Sequence, residues 1–370
     1  MRDTMHPMIK TALRRAWKDR QNVQFGVTPE HAVLLGPVDD ATACFLGLLD
    51  GTRSLEQLRE EATALGLGEG AADRLTARLT AAGVLDDATA DRAASAQVGD
   101  RLRPDLASLS AIHRAPGAGL RRLTARREAC VQVRGAGRVG AMVAATLSAS
   151  GVGQVDVVDG GEVEPWDTAP GGIPADGAGE RRDAAARKVV QQARPWRARS
   201  RPGVSLVVLT PRDGMEAYAP DPSAAEGFVE AGTPHLYGGV VEGSGLVGPL
   251  VLPGRTPCAD CMLRSRAEQE PGWPLVVGQW RTGGRRRGGV PACDLALATV
   301  VAGVTASYAL GFLDGEGGCA AGYRVRFTLP HLLPDTEPLT PHPECSCGAA
   351  SVLSERPPSA DHSSRATMAG

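Results

Sequence analysis

Two sets of residues in this chain have the types and spacing to do chemistry. The first is Gly135-Ala136-Gly137-Arg138-Val139-Gly140, led by the β-branched run Val131-Gln132-Val133 and followed by Val155-Asp156-Val157-Val158-Asp159. Such a glycine turn, opening a helix, brings backbone N–H groups and the positive helix end to a phosphate. An acid about 20 residues on, here Asp159, is placed to accept hydrogen bonds from ribose hydroxyls. Gly135 permits the tight turn, Gly137 the close approach of backbone to phosphate, and Gly140 the close packing of helix on strand. The second set is Cys258-Ala-Asp-Cys261 with Cys345-Ser-Cys347. Four thiolates suit a closed tetrahedral zinc site, structural because no position stays open for water. The second pair is tighter than the usual spacing, so His342 stands as an alternative fourth ligand.

Cys293 is a third candidate. It follows Gly289-Val290-Pro291-Ala292 and opens a long helix, whose N-terminal dipole is expected to lower its thiol pKa. A catalytic or thiol-carrier role and a plain buried thiol both fit that position. Cys44 and Cys130 sit in apolar patterns of core type, and Cys319 lies in a glycine-rich turn.

Positioning the glycines requires a Rossmann-like α/β body, read here over residues 128–348. Around the fingerprint, the patterns predict a helix at 178–192, a strand at 204–210, a helix at 224–231 and strands at 234–241 and 246–252. A Gly/Arg loop at 279–289 carries Arg285, Arg286 and Arg287. The long helix, 294–313, is nearly uncharged, and a helix apolar all round is expected to be buried. A last strand falls at 323–329, and 349–370 reads as a disordered Ser/Pro/Ala-rich tail. Before the body, residues 1–22 read as a basic helix and 23–87 as a small winged-helix-like α+β domain. The latter has a hairpin around Thr28-Pro29-Glu30, helices at 39–49 and 71–82, and a capping box at Ser54-Leu55-Glu56-Gln57. Residues 88–127 are expected to be a linker.

Composition narrows the function classes. A formal net charge of −2 gives no general affinity for nucleic acid or membranes, and no helix of the N-terminal unit carries a base-reading basic face. Lys10, Lys18 and Lys188 are the only lysines, so the basic residues are nearly all arginine. The N-terminus has no apolar signal core and no run reads as a membrane span. A cytoplasmic protein is expected, in which cysteine pairs hold metal rather than disulfides.

Taken together, the glycine loop, Val155–Asp159, Thr256-Pro257-Cys258-x-x-Cys261, Cys293 before a long helix and Pro343-x-Cys345-x-Cys347-Gly348 resemble the ThiF/MoeB/ubiquitin-activating superfamily. Residues 23–87, with their Leu-Asp-Gly-Thr-Arg-Ser-Leu-Glu-Gln-Leu core, resemble PqqD-like domains that recognise leader peptides. The first resemblance implies a ThiF fold with a mixed sheet and structural Zn2+, and binding of ATP with Mg2+. It further implies adenylation of the C-terminus of a peptide or small carrier protein, and a homodimer. Gly135, Gly137, Gly140 and Asp159 match the family's nucleotide cradle. Its Asn-x-x-Arg element is not matched: Asp167 stands at the asparagine and Pro170 at the arginine. Arg182 corresponds to its phosphate-binding lysine, and Arg212 to its Mg2+-binding aspartate, with Asp213 adjacent. Losing one well-aimed transition-state donor typically costs about 10²–10³ in rate, so these changes together leave little adenylation unless other groups compensate. Two functions follow. One is an adenylyltransferase using Arg182 on phosphate and Cys293 on an intermediate. The other is a ThiF-like scaffold, similar to those of azoline-forming systems, that presents a leader peptide to a partner modifying enzyme. A nicotinamide or flavin oxidoreductase would explain the glycines but not the cysteine pairs.

Overall fold

The structure, a computed structural model, describes residues 5–89, 99–196, 203–283, 289–316 and 321–354. Its first segment is organised by strand pairing at long range. Strand β1 (Pro7–Ile9) pairs antiparallel with β5 (Leu85–Asp87), Pro7 opposite Asp87. Strands β2 (Arg15–Trp17), β3 (Val23–Phe25) and β4 (Val33–Leu35) form a three-stranded sheet. The basic helix expected over 1–22 is thus replaced by two strands. Local periodicity favoured a helix, but the hydrogen bonds that decide the matter come from residues 23–25 and 85–87, which no local window contains. Helices Asp40–Leu48, Leu55–Ala64 and Ala71–Ala81 close the unit over Phe25, Phe45, Leu46, Leu58 and Leu79, all buried. The Ser54 capping box forms, Gln57 N donating to Ser54 Oγ at 3.2 Å and Ser54 N to Gln57 Oε1 at 2.9 Å.

Much of the expected linker is helical. Helices Arg103–Ile112 and Ala118–Glu128 bury Leu102, Leu106, Leu109 and Leu123 together. The i, i+4, i+7 leucines are hidden in an Ala/Arg-rich stretch whose composition reads as linker. This helical pair fastens the N-terminal unit. Lys10, 1% exposed, donates through Nζ to the carbonyl of His113 at 2.7 Å. Asp86 accepts from Ser110 Oγ and Gly117 N, each at 2.6 Å.

The main sheet has seven strands, in the order β12-β11-β10-β9-β8-β6-β7. Strands β6 (Cys130–Arg134), β7 (Gln154–Val158), β8 (Leu206–Leu209) and β9 (His235–Val241) are parallel. Strands β10 (Ser244–Val251), β11 (Tyr323–Thr328) and β12 (Leu333–Pro338) continue it antiparallel, which makes the sheet mixed. Because β7 and β8 flank β6 on opposite sides, the chain reverses its direction of travel there. Ligands of open α/β sheets bind at the strand ends of such a switch point.

Helix Arg138–Ala149 is buried along most of its length under the sheet and packs against helices Arg182–Ala193 and Leu295–Leu313. Helix Leu295–Leu313 is long and apolar enough to cross a membrane by composition, yet Leu297, Val301, Thr305 and Ala309 are sealed in the core. Its opposite side, with Thr299, Gly303 and Ser307, is exposed, so the burial all round expected from its composition is not realised. Small and hydroxylated residues on that side explain why water is tolerated there. The helix ends on Asp314, which forms a bidentate pair with Arg126, at 2.8 Å from Nε and 2.6 Å from Nη2. Both side chains are under 10% exposed (7% and 5%). Arg126→Ala would leave Asp314 buried and unpaired, and is expected to cost about 3–5 kcal/mol in urea unfolding. A loss below 1 kcal/mol would show the pair to be dispensable.

Three further elements are absent from the sequence reading: helices Ala259–Gln269 and Trp273–Gly283, and β12. The second helix takes the first part of the expected Gly/Arg loop, while Arg285, Arg286 and Arg287 lie outside the described residues. The expected tail opens with helix Ala349–Ser354, anchored by buried Ala349. Residues 355–370 lie outside the described residues.

Candidate functional site

The glycine loop is shaped by the chain that leaves β8. Gly135 has φ +104°, and a Cβ on it would lie 1.9 Å from the Thr210 carbonyl oxygen. A Cβ on Gly140 would lie 2.0 Å from the Gly135 oxygen and 2.5 Å from Thr210 Oγ1. Only glycine fits either place. Gly137 is the N-cap of helix Arg138–Ala149 and makes no side-chain cap. The first-turn N–H groups therefore keep the anion-binding character that a helix N-terminus has.

Asp159, just beyond β7, reaches back to this loop. Its Oδ2 accepts the Ala136 N–H at 2.5 Å and its Oδ1 accepts from Arg182 Nε at 3.2 Å. A carboxylate has about four lone-pair sites, so acceptor capacity remains for hydroxyl donors. Arg182, first residue of its helix, is engaged by its own chain. It donates from Nη1 to the Glu162 carbonyl at 2.6 Å and from Nη2 to that of Gly160.

Asp167 occupies the centre of the site and is 2% exposed. Arg212 Nε donates to its Oδ1 at 2.6 Å, the Glu164 N–H donates to Oδ2 at 2.9 Å, and Arg182 Nη1 stands 3.8 Å from Oδ2. An unpaired carboxylate could not be buried here, and the two guanidiniums make it possible. Arg212 also rests on the loop, its Cγ 3.1 Å from where a Gly137 Cβ would be. Asp213 is exposed and accepts the Met215 N–H at 3.1 Å.

Arg138, a loop residue whose role sequence reasoning missed, donates from Nη1 to the Cys293 carbonyl at 2.7 Å. Its place between the second and third glycines is the one signal that could have found it. The contact brings Cys293 to the edge of the site. Burial pushes the Cys293 thiol up; Arg138 opposes this, while Asp294 and Asp167 add to it. The expected lowering by the helix dipole is therefore corrected. Helix Leu295–Leu313 starts after Cys293, and Asp294 caps it by accepting from the Leu297 N–H at 3.0 Å. Beside the loop lies a cavity of about 290 Å³, bounded by Gly135, Asp159, Thr210, Pro211, Phe228 and Tyr237. The Arg134 guanidinium lies over the Phe228 ring, 4.6 Å from its centroid.

The cysteine quartet is a separate centre. Helix Ala259–Gln269 begins at Cys258, its N-cap, and carries Cys261; Cys345 and Cys347 arrive from the C-terminal segment. Sγ separations are 3.8 Å for Cys258–Cys261, 3.5 Å for Cys258–Cys345 and 3.6 Å for Cys261–Cys347, and all four sulfurs lie within 4.8 Å of one another. A tetrahedron with metal–sulfur bonds of about 2.3 Å has edges of about 3.8 Å, so the quartet can hold a metal ion. His342 supports it from outside: its Nε2 meets Glu268 Oε1 at 2.9 Å and its carbonyl accepts the Cys345 N–H at 3.1 Å. The alternative fourth ligand is thus not needed. Tyr237 and Val251 pack on the quartet, and Tyr237 also bounds the cavity, so the two centres share a wall.

The sequence over residues 110–203 matches the ThiF family, a span that holds β6, the glycine loop, β7 and Arg182. That segment, about a quarter of the chain, is what the family model matches. No protein of curated function matches the sequence. The fold is similar to that of E. coli MccB. A crystal structure of E. coli MccB with ATP is 14% identical at a TM-score of 0.68, over 92% of this chain and 99% of MccB. The microcin C7 biosynthetic enzyme MccB in complex with N-formylated MccA is 14% identical at a TM-score of 0.69, over 92% and 99%. The heterocyclase TruD is 19% identical at a TM-score of 0.62, and the match covers 94% of this chain but 44% of TruD. The segment matching the ThiF family therefore lies within a fold that extends over nearly the whole of MccB.

Proposed function

We propose that this ThiF-family protein binds an adenine nucleotide and a peptide but does not adenylate, and serves to present the peptide to a partner modifying enzyme. One observation carries the reading: buried Asp167 is clamped by Arg212 and Arg182, the groups that stand where a metal-binding acid and a phosphate-binding lysine are needed. Adenylation needs positive charge delivered to the α-phosphate as pyrophosphate leaves. Here a carboxylate of their own chain engages both cations and offsets one of the two charges. The retained cradle of Gly135, Gly137, Gly140 and Asp159 favours nucleotide binding, as do the structures of MccB with ATP. Peptide binding is supported by the MccB complexes with MccA, and by the N-terminal unit, which we assign to the leader segment of such a peptide. Four thiolates at tetrahedral spacing favour Zn2+ in the cysteine centre. The exposed side of helix Leu295–Leu313 is the face we assign to a second copy in a homodimer.

The opposing reading, an active adenylyltransferase, draws on the intact glycine loop. ATP–pyrophosphate exchange with Mg2+ and a panel of peptides decides between them. The expected result is no exchange above background alongside measurable nucleotide binding; exchange above background would make the protein an enzyme.

A further inference from the structure

The family resemblance implies Mg2+ at the phosphates, and the residues present do not fit it. Asp167 is already paired with cations of its own chain, Arg212 Nε donating to Oδ1 at 2.6 Å and Arg182 Nη1 standing 3.8 Å from Oδ2. Asp213 is turned to the Met215 N–H. A guanidinium has no acceptor atom and excludes a cation from its neighbourhood.

Two donors around the same loop lack partners among the described residues. Arg212 Nη2 and Arg138 Nε are sealed from solvent, and neither N–H donor finds an acceptor among the described residues. A buried N–H without an acceptor is costly, more so on a charged group, and an anion's oxygen would relieve that cost. Arg212 lies against Gly137, at the uncapped N-terminus of helix Arg138–Ala149, where a phosphate would meet backbone N–H groups. Arginine is suited to the task, because its planar fork meets phosphate oxygens in pairs and its charge is permanent.

We infer that the glycine loop binds its nucleotide phosphate as the metal-free anion, with Arg212, which lies against Gly137, supplying the positive charge that a divalent cation supplies in an active site. Asp167 holds Arg212 in place through Nε, and a phosphate oxygen drawn in beside the loop would give the orphaned Nη2 its acceptor. The inference rests on the reading that the loop takes an adenine nucleotide. It goes beyond that reading in making the site independent of metal.

Isothermal titration of the full-length protein with ATP, in EDTA and again in Mg2+, tests it. Affinities within about threefold of each other are expected. Arg212→Ala should weaken binding about 10- to 100-fold in both buffers, the range for losing a charged hydrogen bond. If that variant unfolds, Arg212→Gln keeps the bulk and should show the same loss. Asp167→Asn, which removes the competing carboxylate, should bind several-fold tighter in EDTA. Binding that needs Mg2+ would overturn the inference while keeping the nucleotide reading. Unchanged affinity in both Arg212 variants would overturn it as well. No ATP binding by the folded protein in either buffer would overturn the nucleotide reading itself.

Discussion

Replacing Cys258 with serine should strip the protein of its metal and lower its melting temperature by more than about 10 °C. Cys258 and Cys261 begin helix Ala259–Gln269, whereas Cys345 and Cys347 lie beyond the last strand of the sheet. The quartet therefore closes a long loop, and one ion held by four thiolates would tie its two ends. Structural zinc sites in small peptides contribute about 10–16 kcal/mol. In a body already held by a seven-stranded sheet, a smaller share, about 4–5 kcal/mol, would appear as stability; in a domain of this size each kcal/mol moves the midpoint by about 2–4 °C. Metal analysis of the purified protein should find about one zinc per chain, and Cys258→Ser well below that. A variant that keeps full metal content would refute the centre. A variant that loses metal and melts normally would show that the sheet alone fixes the C-terminal segment.

Gly135→Ala should be the most damaging single methyl group in the nucleotide cradle. The new Cβ would meet the Thr210 carbonyl oxygen at 1.9 Å, and the residue would be held at φ +104°. A backbone oxygen cannot rotate aside as a side chain can. The strand end, the loop or the Thr210 turn must move, which is expected to cost more than about 3 kcal/mol and to abolish nucleotide binding. Gly160→Ala is the matched control. It lies beside Asp159, its Cβ would meet nothing within 4 Å, and its φ is ordinary. Denaturant midpoints for the two variants should differ clearly, with Gly160→Ala within about 0.5–1 kcal/mol of the parent. Equal midpoints would mean that the loop is softer than its contacts imply.

These effects bear on how the site is built. Its glycines are forced by the approach of one stretch of chain to another, and its charged residues by the burial of Asp167. A substitution at Asp167 therefore acts on two arginines at once, and additivity with Arg182 or Arg212 variants is not expected.

By itself the sequence located the glycine turn and the cysteine quartet. The glycine turn, the strands around it and Asp159 are local in the chain, within one strand–helix–strand unit, and each residue type has one conformation or chemistry that explains it. Cysteines are as legible, because two close pairs of thiols suit a tetrahedral metal site. The glycine spacing also carried the resemblance that the ThiF match over residues 110–203 meets. The N-terminal strands were not legible in this way. Pro7–Ile9 and Arg15–Trp17 are strands because of partners at 85–87 and 23–25, and helical periodicity in residues 9–20 has no knowledge of them. The helices of residues 103–128 were lost in a composition that resembles a linker.

Only the tertiary structure decided what the charged residues do. The sequence placed Asp167, Arg182 and Arg212 at positions where other residue types are needed, and left open whether they repel a nucleotide or accommodate one. In the fold Asp167 engages both arginines, with Arg212 Nε 2.6 Å from its Oδ1 and Arg182 Nη1 3.8 Å from its Oδ2. Cys293 shows the same limit: a helix start predicts a lowered thiol pKa, and burial beside two carboxylates raises it. The physical reason is common to both. Electrostatic effects depend on distance through space and on exclusion of water, and neither is a property of position along the chain.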